Sequence, residues 1–178
     1  MSRSRALRIG VIADTHGLFD PDILRHFQAV DHIIHAGDIG GGSVIEQLRA
    51  IAPVTAVSGN VDGYEQSGFP PEAMIELAGL RIAIRHVVFE GGKLTKEGRT
   101  FLEREQPDVC IFGHTHQPRI EWLGKTLLFN PGSAGPKRFR LSRGVGLLHL
   151  AHTEVEPQLI PLSDRAEPQV HIPTQLTI

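Results

Sequence analysis

Val-Cys-Ile-Phe-Gly-His-Thr-His, the stretch Val109–His116, decides how this chain is read. Four apolar residues lie between Pro107-Asp108 and Gly113, and a short apolar run bounded in this way reads as a buried strand. The strand stops at Gly113, and His114 and His116 follow at once, one residue apart. On a strand or tight loop leaving a sheet edge, that spacing points both rings the same way. Two neutral imidazoles converging there make half of a metal site. Taken alone, the pair reads equally well as two exposed loop histidines. Cys110, the single cysteine, lies inside the run; it cannot form an internal disulfide and reads as a small core residue.

The flanking sequence repeats the arrangement. Leu7–Ala13 is a mostly apolar run that ends in Asp14-Thr15-His16-Gly17. Ile33 and Ile34 mark a second strand ending at Ala36-Gly37-Asp38, and Val54–Val57 a third, closed by Gly59-Asn60-Val61-Asp62-Gly63. Between them, Asp20-Pro21 opens a helix with Ile23, Leu24, Phe27 and Val30 on one face. Ser43 and Glu46 form the pattern of a capping box ahead of Leu48 and Ile51. Strand, helix, strand, helix, strand predicts a right-handed parallel sheet.

Beyond Gly63 the pattern changes. Glu65–Glu72 reads as loop, and Met74–Leu77 and Arg81–His86 flank a three-residue hairpin connection, Ala78-Gly79-Leu80. Thr95–Glu105 reads as a helix despite Gly98, and Gly124-Lys125 joins Ile120–Leu123 to Thr126–Phe129 as a second hairpin. Val145–Leu150 and Val155–Leu162 are late strands, and the two prolines of Ser163–Ile178 leave that tail without readable periodicity. No internal repeat or linker divides residues 1–178, so a single domain is expected.

Polar residues recur where the strands end. Asp14, His16, Asp38, Asn60, His86, His114 and His116 supply two carboxylates, one amide oxygen and four imidazoles. In open α/β sheets, sites form beyond the carboxyl ends of the strands. Seven such groups are too many for one tetrahedral zinc. They fit two ions that share one carboxylate. The mixed nitrogen and oxygen set suits Mn, Fe, Ni, Co or Zn, manganese first among them, better than Mg or Ca alone.

Composition narrows the classes. Hydrophobic residues make up 40% of 178, the formal net charge is −2, and no run of Lys and Arg stands out. A globular chain follows, with no electrostatic signal for nucleic acid or a membrane surface. Met1–Arg8 is basic and short, and the apolar stretch after it is broken by Asp14, which suits neither a signal peptide nor a membrane span. A cytoplasmic location is the expectation, and a homo-oligomer stays open.

Asp14-x-His16, Gly37-Asp38, Gly59-Asn60, His86 and Gly113-His114-Thr115-His116 together resemble the motif series of the calcineurin-like metallophosphoesterases. His35–Asp38 and the Asn-Pro-Gly-Ser loop at Asn130 are similar to the small YfcE-type phosphodiesterases of bacteria and archaea. The resemblance covers residues 7 to 150. It implies a four-layer αββα sandwich of two mixed β-sheets flanked by helices, with a dinuclear site at one end. By the family's pattern, Asp14, His16, Asp38 and His116 hold one metal, and Asp38, Asn60, His86 and His114 the other, Asp38 bridging. The implied activity is a metal-dependent phosphodiesterase acting by in-line attack of a hydroxide shared by the ions, with Asp38 and Asn60 in the catalytic roles. A phosphomonoesterase or nuclease of the same superfamily is the nearest alternative. A binding scaffold is the alternative from another class, since the small retromer subunit uses this fold for protein contacts.

Two departures stand out. Many larger members place a histidine after the motif asparagine, where it contacts the phosphate or protonates the leaving group; here Val61 stands there. Small members usually read His-Gly-His at the fifth motif, whereas here His86-Val87-Val88 lacks the glycine and the second histidine. Other polar residues have plainer readings. His35 reads as a neighbour of the ligands or a core residue, and His26 and His32 as solvated. His149 and His152 read as structural, and Asp62 equally as turn cap or site residue. Asn130 and Ser133 read equally as turn chemistry or site contacts, and Lys137 and Arg138 as exposed loop cations in preference to phosphate contacts. Trp122 and Phe129 read as packing.

Overall fold

A computed structural model describes residues 5–63, 67–151 and 153–164. Strands β1 (Leu7–Ile12), β2 (His32–His35) and β3 (Val54–Ala56) run parallel, with α1 (Asp22–Phe27) and α2 (Gly42–Arg49) in the crossovers. The hairpin of β4 (Glu72–Leu77) and β5 (Leu80–Arg85) follows, then a small ribbon of β6 (Phe89–Glu90) and β7 (Lys93–Leu94). Helix α3 (Lys96–Glu105) leads into β8 (Val109–Ile111). The hairpins β9 (Arg119–Leu123) with β10 (Thr126–Asn130), and β11 (Gly144–Ala151) with β12 (Glu154–Pro161), are the last elements among the described residues.

The strands form two five-stranded sheets, in the orders β12-β11-β1-β2-β3 and β4-β5-β8-β10-β9. Each is mixed: the parallel strands β1, β2 and β3 occupy one side of the first sheet out to its edge, and β5, β8 and β10 the middle of the second. The pleat sends alternate side chains to opposite faces, and three apolar layers result. Ile9, Val11, Val109, Ile111, Leu127 and Phe129 meet between the sheets. Ile12 and Ile33 pack outward against Phe27 and Leu48 of the first helices. Cys110 and Phe112 pack outward against Phe101 and Leu102 of α3. This is the expected sandwich, with Cys110 fully buried and its thiol pushed up to about 12 by burial.

Local differences have local causes. The capping box at Ser43 does not form, because α2 starts two residues earlier than that cap requires, at Gly42 with Gly41 as the N-cap at φ 152. The first hairpin connection is two residues, Ala78-Gly79, both left-handed at φ 54 and 82, so pairing extends to Leu77 opposite Leu80. Glu72 joins β4 rather than the loop before it. Thr95 does cap α3, its hydroxyl accepting from the Gly98 N–H. Leu24 is 49% exposed and leaves the buried face of α1 to Ile23 and Phe27. Tyr64, His152 and the tail from residue 165 lie outside the described residues.

Candidate metal centre

The six parallel strands, β1, β2 and β3 with β5, β8 and β10, end at one edge of the sandwich. Asp14 and His16 leave β1, Asp38 leaves β2, His86 leaves β5, and His114 and His116 leave β8. The side chains converge in two groups, Asp14 with His16 and His116, and Asp14 with Asp38 and His86. His116 Nε2 lies 3.3 Å from Asp14 Oδ1 and 3.4 Å from His16 Nε2. Asp38 Oδ2 lies 3.3 Å from His86 Nε2 and 3.7 Å from His16 Nε2, so it faces both groups.

The backbone is bent to bring these atoms together. Asp14, His16, Asp38, His114 and His116 all hold positive φ, between 47 and 69°. The left-handed region is uncommon for residues with a Cβ, and clusters of such residues mark functional sites. Glycines keep the space clear. A Cβ on Gly59 would lie 2.2 Å from Asp38 Oδ1, and one on Gly113 2.7 Å from Asp14 Oδ2.

The buried His86 ring tests whether a cation fits. Its Nδ1–H donates to the Ala36 carbonyl at 2.7 Å, and a carbonyl only accepts, so the proton sits on Nδ1. In the neutral ring Nε2 then turns a lone pair toward Asp38 and Asp14, 3.3 and 3.8 Å away. Such a buried acceptor among acceptors is costly unless the ring takes up a proton or a metal ion lies between them, and the geometry fits either. Burial alone would push the His86 imidazole down, but Asp38, Asp14 and the Ala36 carbonyl outweigh it and hold it above its ordinary value. Burial likewise pushes the Asp38 carboxyl up. His86, the Val61 N–H at 3.0 Å and His16 overcome this and hold it well below the usual carboxylate range. His16 is pushed down by burial against the pull of Asp38, with the Arg138 charge adding to the lowering.

Two expected residues stand at the margin. His114 donates its backbone N–H to both Asp14 oxygens at 3.2 Å, and its ring meets the His86 ring edge-on at 5.5 Å. Its Nε2 points to Glu90 Oε1 at 3.4 Å. Asn60 is exposed and shares a shallow cavity with His86.

Several plainer readings resolve. His35 is fully buried; its Nδ1 accepts from Gly37 N–H and its Nε2 pairs with the Thr15 hydroxyl, which donates to the Ile39 carbonyl. Burial lowers His35 to about 4, so it stays neutral. Asp62 is a loop tie, accepting from the Ile39, Gly40 and Gly59 N–H groups at 2.9 to 3.0 Å. Asn130 donates to the Gly113 carbonyl and the Thr115 hydroxyl, and the Ser133 hydroxyl donates to the Asp14 carbonyl. Both therefore position site loops. Lys137 pairs with Asp164, and Arg138 is exposed. Arg143, which no sequence pattern singles out, is buried and joins four acceptors: Asp20, Ser163, Ala134 and Gly135.

The chain is similar to known proteins. The family model for the calcineurin-like phosphoesterase superfamily domain matches residues 7–153. A probable metallophosphoesterase of Methanocaldococcus jannaschii is 34% identical over 164 residues, covering 88% of this chain and 82% of its own. A phosphodiesterase of the same organism is 26% identical over 144 residues, covering 71% of this chain and 83% of its own. Vps29 of Entamoeba histolytica, solved in complex with Zn²⁺, shares the fold at a TM-score of 0.68 and 21% identity, over 87% of this chain and 99% of that one.

Proposed function

This chain belongs to the calcineurin-like phosphoesterase superfamily, and from that premise we propose that it hydrolyses phosphodiesters at a pair of divalent ions, manganese first among the candidates. The observation that carries the reading is His86, whose buried Nε2 faces Asp38 and Asp14 at 3.3 and 3.8 Å in the same cluster. Asp14, His16, Asp38 and His116 would hold one ion. Asp38, Asn60, His86 and His114 would hold the other, with Asp38 shared. Bound there, two such ions would supply a deprotonated water near neutral pH and neutralise charge on the phosphoryl oxygens.

The chain's own groups do the rest. Val61 N–H orients the Asp38 carboxylate through Oδ1 and leaves Oδ2 toward His16 and His86. The Ala36 carbonyl fixes the His86 tautomer, and the Asp14 carboxylate is held by the His114 N–H. Asn60 is assigned to the second ion and to a phosphoryl oxygen. No Ser or Cys nucleophile enters, since Cys110 is buried in the layer under α3. Ile120, Trp122 and Leu123 expose apolar surface on β9, which suits an added partner contact but does not account for imidazoles and carboxylates gathered at one edge.

Calorimetric titration of the chelated protein with Mn²⁺ tests the assignment. About two ions per chain are expected, the stoichiometry of a shared-carboxylate site. Asp38→Asn should abolish tight binding of the pair, because the shared ligand loses its charge. Unchanged stoichiometry and affinity in that variant would remove Asp38 from the site.

A further inference from the structure

A cavity of about 310 Å³ opens beside the candidate centre and has no role in the account above. It abuts the centre through the backbone. Ile39, in its wall, follows Asp38 directly. Gly40, beside it, packs so closely on β1's exit loop that a Cβ there would lie 2.5 Å from the His16 carbonyl carbon. Val61 belongs to both places, since its N–H holds Asp38 Oδ1 while its side chain, 54% exposed, lines the cavity.

The wall is apolar and anchored. Ile39 and Ile45 are 3% and 2% exposed and rooted in the layer under α1 and α2. Phe69 closes another side, with the Arg49 guanidinium 5.9 Å from its ring centre. Asp62, the one charged side chain in the lining among the described residues, is fully engaged by three backbone N–H groups. Ser67 accepts from the Phe69 N–H. A cavity of this volume, largely apolar and adjoining a cluster of convergent polar groups through Ile39 and Val61, has the character of a small-molecule subsite.

Resting on the phosphodiesterase reading, we infer that this cavity receives one ester arm of the substrate and selects a flat, apolar alcohol, an aryl group above all. The phosphoryl group would lie over the ligand cluster while the arm slides past Val61 between Ile39, Ile45 and Phe69. The natural substrates are then phosphoesters carrying an aromatic or other compact apolar arm, rather than esters of small polar alcohols.

Competitive inhibition of the manganese-loaded enzyme by 1-naphthyl phosphate and methyl phosphate tests this, because the two share a headgroup and differ only in the arm. The naphthyl compound should bind at least about tenfold more tightly, the scale set by burying part of an aromatic ring. Phe69→Ala should remove most of that advantage. Gly42→Trp should remove it too, since Gly42 lines the cavity and a Cβ there meets nothing within 4 Å. Both variants should leave the methyl phosphate constant unchanged. Equal binding of the two compounds by the native enzyme overturns the cavity assignment while leaving the phosphodiesterase reading intact. So does an advantage that survives in both variants. An enzyme that hydrolyses no diester and binds neither compound overturns the function itself, and the cavity assignment with it.

Discussion

Asp14, His16, Asp38, His114 and His116 hold a conformation that costs about 1–2 kcal/mol for a residue with a Cβ. This inverts an ordinary preference. His16→Gly should be more stable than His16→Ala by about 1 kcal/mol when both are unfolded with urea in chelator, although alanine normally wins. The opposite order would mean that φ 47 at His16 is not strained. His35 gives a pH signature. Its folded value of about 4 lies below the unfolded 6.5, so the unfolded chain binds the proton first as pH falls. The stability it contributes is complete above about pH 6.5 and is lost on the way down to about 4, for a total of about 3 kcal/mol. Urea denaturation of the metal-free protein across that window should show the loss, and His35→Gln should flatten it. A slope unchanged by the substitution would assign the loss to other groups. The chemistry of these residues was legible in the sequence because each follows an apolar run. Their left-handed backbone was not, since only the packed strands on both sides impose it.

At the scale of elements, Arg143 joins parts that are distant in sequence. It binds Asp20 before α1, the carbonyls of Ala134 and Gly135, and the Ser163 carbonyl after β12. Ser133, just before them, holds the Asp14 carbonyl. Arg143→Met should destabilise the protein by about 3–5 kcal/mol, because it leaves Asp20 buried without its partner. A loss under about 1 kcal/mol in urea denaturation would show that water replaces the guanidinium at no great cost. Short apolar runs bounded by turn residues made the strands readable, as in Val109–Phe112, which is buried on both faces: Val109 and Ile111 toward the inter-sheet layer, Cys110 and Phe112 toward α3. Arg143 left no such trace, since one arginine after a loop looks like any surface cation until the strands close around it. The Ser43 capping box failed for a related reason: Gly41 and Gly42 let the chain enter α2 before the serine is reached.

For the whole molecule, two mixed sheets set their parallel strands to end on one edge, and that topology brings residues as far apart as Asp14 and His116 within 3.3 Å. The order of the motifs along the sequence made this convergence legible. The Glu90 contact to His114 was not, because it depends on a tight ribbon turning at Gly91-Gly92. The loop after His86, where the sequence departs from the family's pattern, still delivers His86 to the two carboxylates. The central claim is that this edge is a metal-dependent catalytic centre and not a vestige on a binding scaffold. Hydrolysis of bis(4-nitrophenyl) phosphate, followed before chelation, after exhaustive chelation and after return of Mn²⁺, tests it most directly. The account predicts activity that disappears with the metal and returns with it. Hydrolysis undiminished after exhaustive chelation would contradict it.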